Sequence, residues 1–158
     1  MANITATRTK ERIDKNGEVF TPPELVQEIL QKIKDTQPEL FTNKNKTFCD
    51  PAAGEGAFLV EVLDMKLKAG HPPLDALRTV YGVELEPENV ERCKELLCDV
   101  LTNNGHKVTK RHNKVLDTNI VCSDAFEWDF ENWRPLGSPQ AQVDPQIALI
   151  ESLIGTDY

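Results

Sequence analysis

No apolar run in this chain approaches the length of a membrane span, and the polar N-terminus carries no secretion signal. A protein that neither enters nor crosses a membrane is expected, working in the cytoplasm. Its four cysteines, Cys49, Cys93, Cys98 and Cys122, form no Cys-x-x-Cys pair, and His71, His106 and His112 do not cluster with them. That argues against a disulfide framework and a zinc site, and leaves reduced thiols with no metal. Net basic charge is missing as well. At −8 the chain has no overall basic footprint, so any grip on nucleic acid must be local or must belong to another chain. The third glycine of a dinucleotide fingerprint is also absent, because position 59 is Leu59.

What is present suffices for one domain with a core: 158 residues, 39% hydrophobic and 28% charged. The chain is organised around Thr47-Phe48-Cys49-Asp50-Pro51-Ala52-Ala53-Gly54-Glu55-Gly56-Ala57-Phe58-Leu59-Val60. This stretch reads as a buried strand ending at Asp50, a turn, and a helix over 57–68. Pro51 directs the chain out of the sheet. Gly54 and Gly56 allow a sharp turn and the close approach of a ligand. The helix N-terminus then aims free N–H groups at whatever lies on the loop. An ordinary capped strand-to-helix turn would look the same, so the glycines alone do not decide.

Residues 1–16 are polar and of mixed charge, a flexible arm. Thr21 reads as an N-cap, with Pro22 in the first helical position and Glu24 completing a capping box. Leu25, Val26, Ile29, Leu30 and Ile33 follow at helical spacing. Residues 37–46 read as a polar connection. After the 57–68 helix, His71-Pro72-Pro73 interrupts, and a short helix over 74–78 leads to a second strand over 79–85. Glu84 lies at that strand's end, and a helix begins at Glu86-Pro87. Asn103-Asn104-Gly105 closes it. His106, Lys107, Lys110, Arg111, His112 and Lys114 make the one strongly basic stretch, which reads as a solvated loop or a phosphate contact. A third strand over 119–122 leads to Ser123-Asp124-Ala125. Cys49 and Cys122 are expected in buried strands. Three successive strands thus run into an acid: Asp50, Glu84 and Asp124. In a parallel sheet all three would open on the carboxyl edge, where such folds bind ligands. That pattern suits a ligand with a ribose and an amine-bearing base.

These residues resemble the N-6 adenine DNA methylase family. Val19-Phe20-Thr21-Pro22-Pro23-Glu24-Leu25-Val26 is similar to its F-T-P motif, and Asp50-Pro51-Ala52-Ala53-Gly54-Glu55-Gly56-Ala57-Phe58-Leu59 to its D-P-x-x-G-x-G-x-F-L motif. Gly82-Val83-Glu84-Leu85-Glu86-Pro87 resembles G-x-E-x-x-P, and Ser123-Asp124-Ala125 fits the acid after the third strand. The resemblance implies an α/β Rossmann-like methyltransferase fold, partial here, with about three parallel strands and flanking helices. It implies S-adenosylmethionine as cofactor, with Phe20 and Thr21 at its methionine end. Asp50, Pro51, Ala53, Gly54 and Gly56 would form the loop beneath it, with Asp50 facing its ammonium. Glu84 would sit on the ribose hydroxyls, Leu85 against the adenine, and Asp124 with Ala125 at the adenine amino group.

The family's catalytic motif, Asn or Asp followed by Pro-Pro and an aromatic, has no full counterpart. Asp144-Pro145-Gln146-Ile147 stands near the expected place without the second proline or the aromatic ring. The expected organisation is an arm over 1–16, a cofactor-binding domain over 17–135, and a linker with a short helix over 136–158. The chain reads as truncated before the catalytic motif, with DNA met through a partner or a missing domain. A partner chain is also expected to complete the sheet. A regulatory or decoy module that only binds cofactor, and a methyltransferase acting on something other than DNA, remain open alternatives.

Overall fold

The computed structural model describes residues 21–138. They belong to two compact units, one running to Phe126 and the other beginning at Glu127.

The first unit is an α/β layer structure. Helix α1 (Pro23–Thr36) buries Val26 and Leu30. It starts one residue later than the sequence suggests, because Pro22 stands before Pro23. A residue preceding proline is pushed out of the helical region, and Pro22 is extended at φ −58, ψ 139. Thr21 therefore lies one position too early, and no side-chain cap forms. The supposed polar connection contains a short helix, α2 (Glu39–Thr42), which buries Phe41 completely.

Three short strands follow, β1 (Phe48–Asp50), β2 (Val80–Glu84) and β3 (Ile120–Cys122). They form one parallel sheet in the order β1-β2-β3, with Phe48 opposite Val80 and Glu84 opposite Cys122. Parallel neighbours need crossovers. Here α3 (Ala57–Lys68) and α4 (Pro73–Leu77) make the first, and α5 (Pro87–Asn103) and α6 (Lys110–Asn119) the second. Leu59, Leu63, Leu97 and Leu101 are each 1% exposed or less and fill the core between α3, α5 and the sheet. Burying one such side chain contributes about 2 kcal/mol. Gly82 lets α3 lie close to β2, since a Cβ there would fall 2.8 Å from the Leu59 side chain.

Two further sequence expectations are corrected. The basic stretch is not a loop: from Lys110 on it is helix α6, capped by Thr109, whose backbone N–H donates to His112 Nδ1 at 3.0 Å. His112 is thereby turned inward and buried. Cys49 and Cys122 do lie in strands but are exposed, whereas Cys93 is fully buried; all four cysteines are free thiols.

At the amino end of β1, Lys66 of α3 is fully buried. Its Nζ donates to the Lys46 carbonyl at 2.6 Å and lies 5.4 Å from the centre of the Phe48 ring. Burial pushes its pKa down to about 8.

The second unit holds a small antiparallel pair, β4 (Trp128–Asp129) and β5 (Arg134–Pro135). The Asp129 carboxylate accepts the backbone N–H groups of Glu131 and Asn132, closing the turn. Trp133 packs edge-on to Trp128 at 5.3 Å.

Candidate functional site

Because the sheet is parallel, β1 and β2 end on one edge. Asp50 and Glu84 are their last residues. Asp124 follows two residues after β3 on the same edge.

The loop after β1 is built on its own backbone. Asp50 Oδ1 accepts the Ala52 N–H at 3.0 Å, which turns the chain immediately after the strand. Ala53 N–H donates to the Val83 carbonyl at 3.0 Å, tying the loop to β2. Gly56 then caps α3 with φ 90, a conformation strained for any side chain. It is also sterically required: a Cβ there would meet Cys93 Sγ at 2.5 Å.

Glu84 joins the two halves of the edge. Its Oε2 accepts the Gly54 N–H at 2.8 Å, and its Oε1 accepts the Glu86 N–H at 3.0 Å. Asn89 Nδ2 approaches the same Oε1 at 3.4 Å, from a fully buried side chain at the start of α5. A carboxylate has about four acceptor sites. Three are engaged here, and one on Oε2 remains for a ligand. A second ligand hydroxyl would have to displace the long Asn89 contact.

The electrostatics of the edge are negative. Burial raises the pKa of Asp50, and the nearby Glu84 charge raises it further, against the Ala52 N–H that lowers it. The Cys93 thiol, behind Gly56, is pushed up to about 12 by burial and by the charges of Asp50 and Glu84. Two neighbouring carboxylates on one sheet edge favour a cation or a donor-rich ligand.

A pocket of about 270 Å³ opens over the loop, lined by Thr21, Asp50, Ala53, Gly54, Glu55 and Phe58 among others. Beside Glu84, Leu85 is 62% exposed, and beyond Asp124, Phe126 is 93% exposed. Asp124 itself is exposed, its Oδ1 accepting the Phe126 N–H at 2.9 Å. Pro51 is exposed, Ala125 half-buried. Phe20, Asp144 and Pro145 lie outside the described residues.

The structure thus brings Thr21, Asp50, Ala53 and Gly54 to one pocket, and links Glu84 to Gly54 directly. Sequence reasoning missed Asn89, Cys93 and Phe126. Asn89 looked like an ordinary polar residue at a helix start. Cys93 was read as one of the four reduced thiols. Phe126 was legible only as the aromatic that follows the third acid.

A three-stranded parallel sheet with flanking helices, and a glycine loop opening the first crossover on its carboxyl edge, define a partial Rossmann-like domain of the methyltransferase type. The family model described as N-6 DNA Methylase matches residues 4–128, and the chain belongs to that family. It is accordingly a DNA methyltransferase-type domain. No curated protein and no solved structure matched the chain. Among the described residues, no helix is long and apolar enough to cross a membrane.

Proposed function

We propose that this chain binds S-adenosylmethionine on the carboxyl edge of its sheet and serves as the cofactor-binding part of a cytoplasmic DNA adenine N-6 methyltransferase. One observation carries the reading: Asp50 and Glu84 end adjacent strands at one edge, and Glu84 holds the Gly54 amide of the intervening loop. The donor set suits the ligand. S-adenosylmethionine has a cationic sulfonium, an ammonium and two ribose hydroxyls. A cation beside Asp50 offsets the burial and Glu84 repulsion that raise its pKa. The free acceptor site on Glu84 Oε2 suits a ribose hydroxyl, and exposed Leu85 and Phe126 offer apolar surface for the adenine. Thr21, on the pocket wall, would meet the methionine end.

When bound, the cofactor supplies an already activated methyl group, so the protein's task is mostly positioning. The chain's own residues orient the ligand. The Glu84–Gly54 bond fixes the loop under it, and the Ala53–Val83 bond keeps that loop on the sheet.

A partner that completes the sheet fits a second observation. Among the described residues β1 pairs only with β2. Along its other edge runs an apolar pocket of about 300 Å³ lined by Leu30, Ile33, Phe48, Phe58 and Val62. An unpaired strand edge over an apolar trough suits an added strand. The test is methyl transfer from labelled S-adenosylmethionine to DNA, by the chain alone and with a chain carrying the Asn/Asp-Pro-Pro-aromatic segment. Transfer to adenine that appears only in the mixture and is lost in Glu84→Ala supports the reading. A folded chain that neither binds cofactor nor complements any such partner refutes it.

A further inference from the structure

A separate pocket, of about 550 Å³, lies at the opposite end of β2 and is lined by Arg78, Tyr81, Arg111, Lys114 and Val115 among others. Arg78 directly follows α4, and Tyr81 is the second residue of β2. Glu84 lies three positions beyond Tyr81, about 10 Å along a strand. The pocket is therefore distinct from the carboxyl-edge site.

Its charge runs against that of the chain. In a protein of net charge −8, three cations line this pocket and no carboxylate does. Several cations elsewhere are paired: Lys94 bridges Glu91 and Asp117 at 3.1 Å each, Lys32 meets Glu28, and Arg92 meets Glu95. Among the described residues Arg78 pairs only with Asp75, at 3.6 Å. Arg111 and Lys114 have no ion pair among the described residues. Helix α6 separates the charges. Arg111, Lys114 and Val115 face this pocket, while Asp117 faces a groove on the other side lined by Glu91, Glu95 and Asp99.

We propose that this pocket is a contact site for the phosphate backbone of a nucleic acid strand, remote from the cofactor edge. Arg111 and Lys114 stand one helical turn apart on α6, and Arg78, at the end of α4, lines the same pocket. All three are exposed, spread along the chain segments that line the pocket rather than closed around one anion. That arrangement suits successive phosphates on a strand better than a single enclosed phosphate. The half-buried Tyr81 ring and Val115 give an apolar floor for a sugar or base. The basic stretch of the sequence thereby acquires a use: its helical part turns two cations to one pocket.

The test is fluorescence anisotropy of a labelled DNA duplex with the full chain over a salt series, comparing wild type with Arg111→Glu/Lys114→Glu. Non-specific contacts of this size bind in the range of about 1–100 µM and weaken with salt. The double variant should lose at least about tenfold in affinity, with the log–log salt slope shallower by about two, one per phosphate contact. Lys110→Glu, on the same helix but outside the pocket, changes net charge alone and should cost far less. Arg111→Gln/Lys114→Gln, judged folded by its thermal transition, separates lost contacts from repulsion and should retain less binding than Lys110→Glu. Cofactor titration of the same variants should be unchanged, so failure here is distinguishable from failure of the cofactor reading. No duplex binding by wild type, an unchanged slope in the double variant, or displacement of the duplex by inorganic phosphate at equal phosphate concentration would overturn the proposal.

Discussion

Replacing Glu84 by Gln tests the site with a minimal change of shape. Every hydrogen-bond partner of the Glu84 carboxylate is a donor: the Gly54 N–H on Oε2, and the Glu86 N–H with Asn89 Nδ2 on Oε1. Glutamine offers one acceptor oxygen and one NH2. Whichever way the amide is turned, at least one backbone N–H then faces a donor. Leaving a partly buried donor unpaired costs about 1 kcal/mol at the low end of the usual range. In a domain of this size that lowers Tm by about 4 °C. The ligand loses more. A hydrogen bond from a ribose hydroxyl to an ionised acceptor contributes about 1.5–3 kcal/mol, and the free site on Oε2 is the one available to it. Affinity for S-adenosylmethionine should therefore fall by about 10- to 100-fold. Calorimetric titration beside thermal denaturation separates the two effects. A Glu84→Gln chain that binds cofactor as wild type does, whatever its Tm, would refute the assignment of Glu84. A large Tm loss with no wild-type binding would mean that the network is purely structural.

Gly56→Ala combines a strained backbone at φ 90 with a Cβ 2.5 Å from Cys93 Sγ, and should cost more than about 2 kcal/mol in urea denaturation. Burial, with the nearby Glu84 charge, raises the pKa of Asp50 from its ordinary value. In the free protein the stability favouring its neutral form is full below pH 3.8 and is lost as pH rises through the raised value. A bound cation needs the ionised form, so cofactor affinity should rise with pH through that same window, and Asp50→Asn should bind weakly with a flat profile. Lys66 has its pKa lowered from 10.5 to about 8, so the unfolded chain binds the extra proton between those values and stability rises with pH across them. Lys66→Met should remove this rise, the gap to wild type changing by up to about 3 kcal/mol between pH 7 and pH 10.5 in denaturant titrations.

The strand, loop and helix over 48–68 were legible because their signals are local. Pro51, two glycines and a run of apolar residues at helical spacing specify a turn wherever they occur. The order of acids, and the family, were legible for the same reason. What escaped the sequence depends on packing across elements. The capping box at Thr21 and Glu24 is correct as a pattern, yet Pro23 acts on Pro22 and moves the helix start. Phe41 is one aromatic in a polar stretch and gives no periodicity, though it is completely buried. The lysines and arginine of α6 masked Leu116 on its inner face, and its cap uses His112 where the usual box has Glu or Gln. Burial of Cys49 and Cys122 was expected from strand membership, but exposure is set by what lies across each strand. Asn89 is the clearest limit, because its contact with Glu84 depends on how α5 meets the sheet edge.

The cofactor edge and the basic pocket lie at opposite ends of β2, so a residue-resolved measurement decides the central claim most directly. The amide spectrum of the isotope-labelled chain, recorded while S-adenosylmethionine is added, should show saturable shifts at Gly54, Gly56, Leu85 and Asp124. Arg78, Arg111 and Lys114 should stay in place. A well-dispersed spectrum in which the carboxyl-edge amides do not move would contradict the account, and so would shifts centred on the amino end of the sheet.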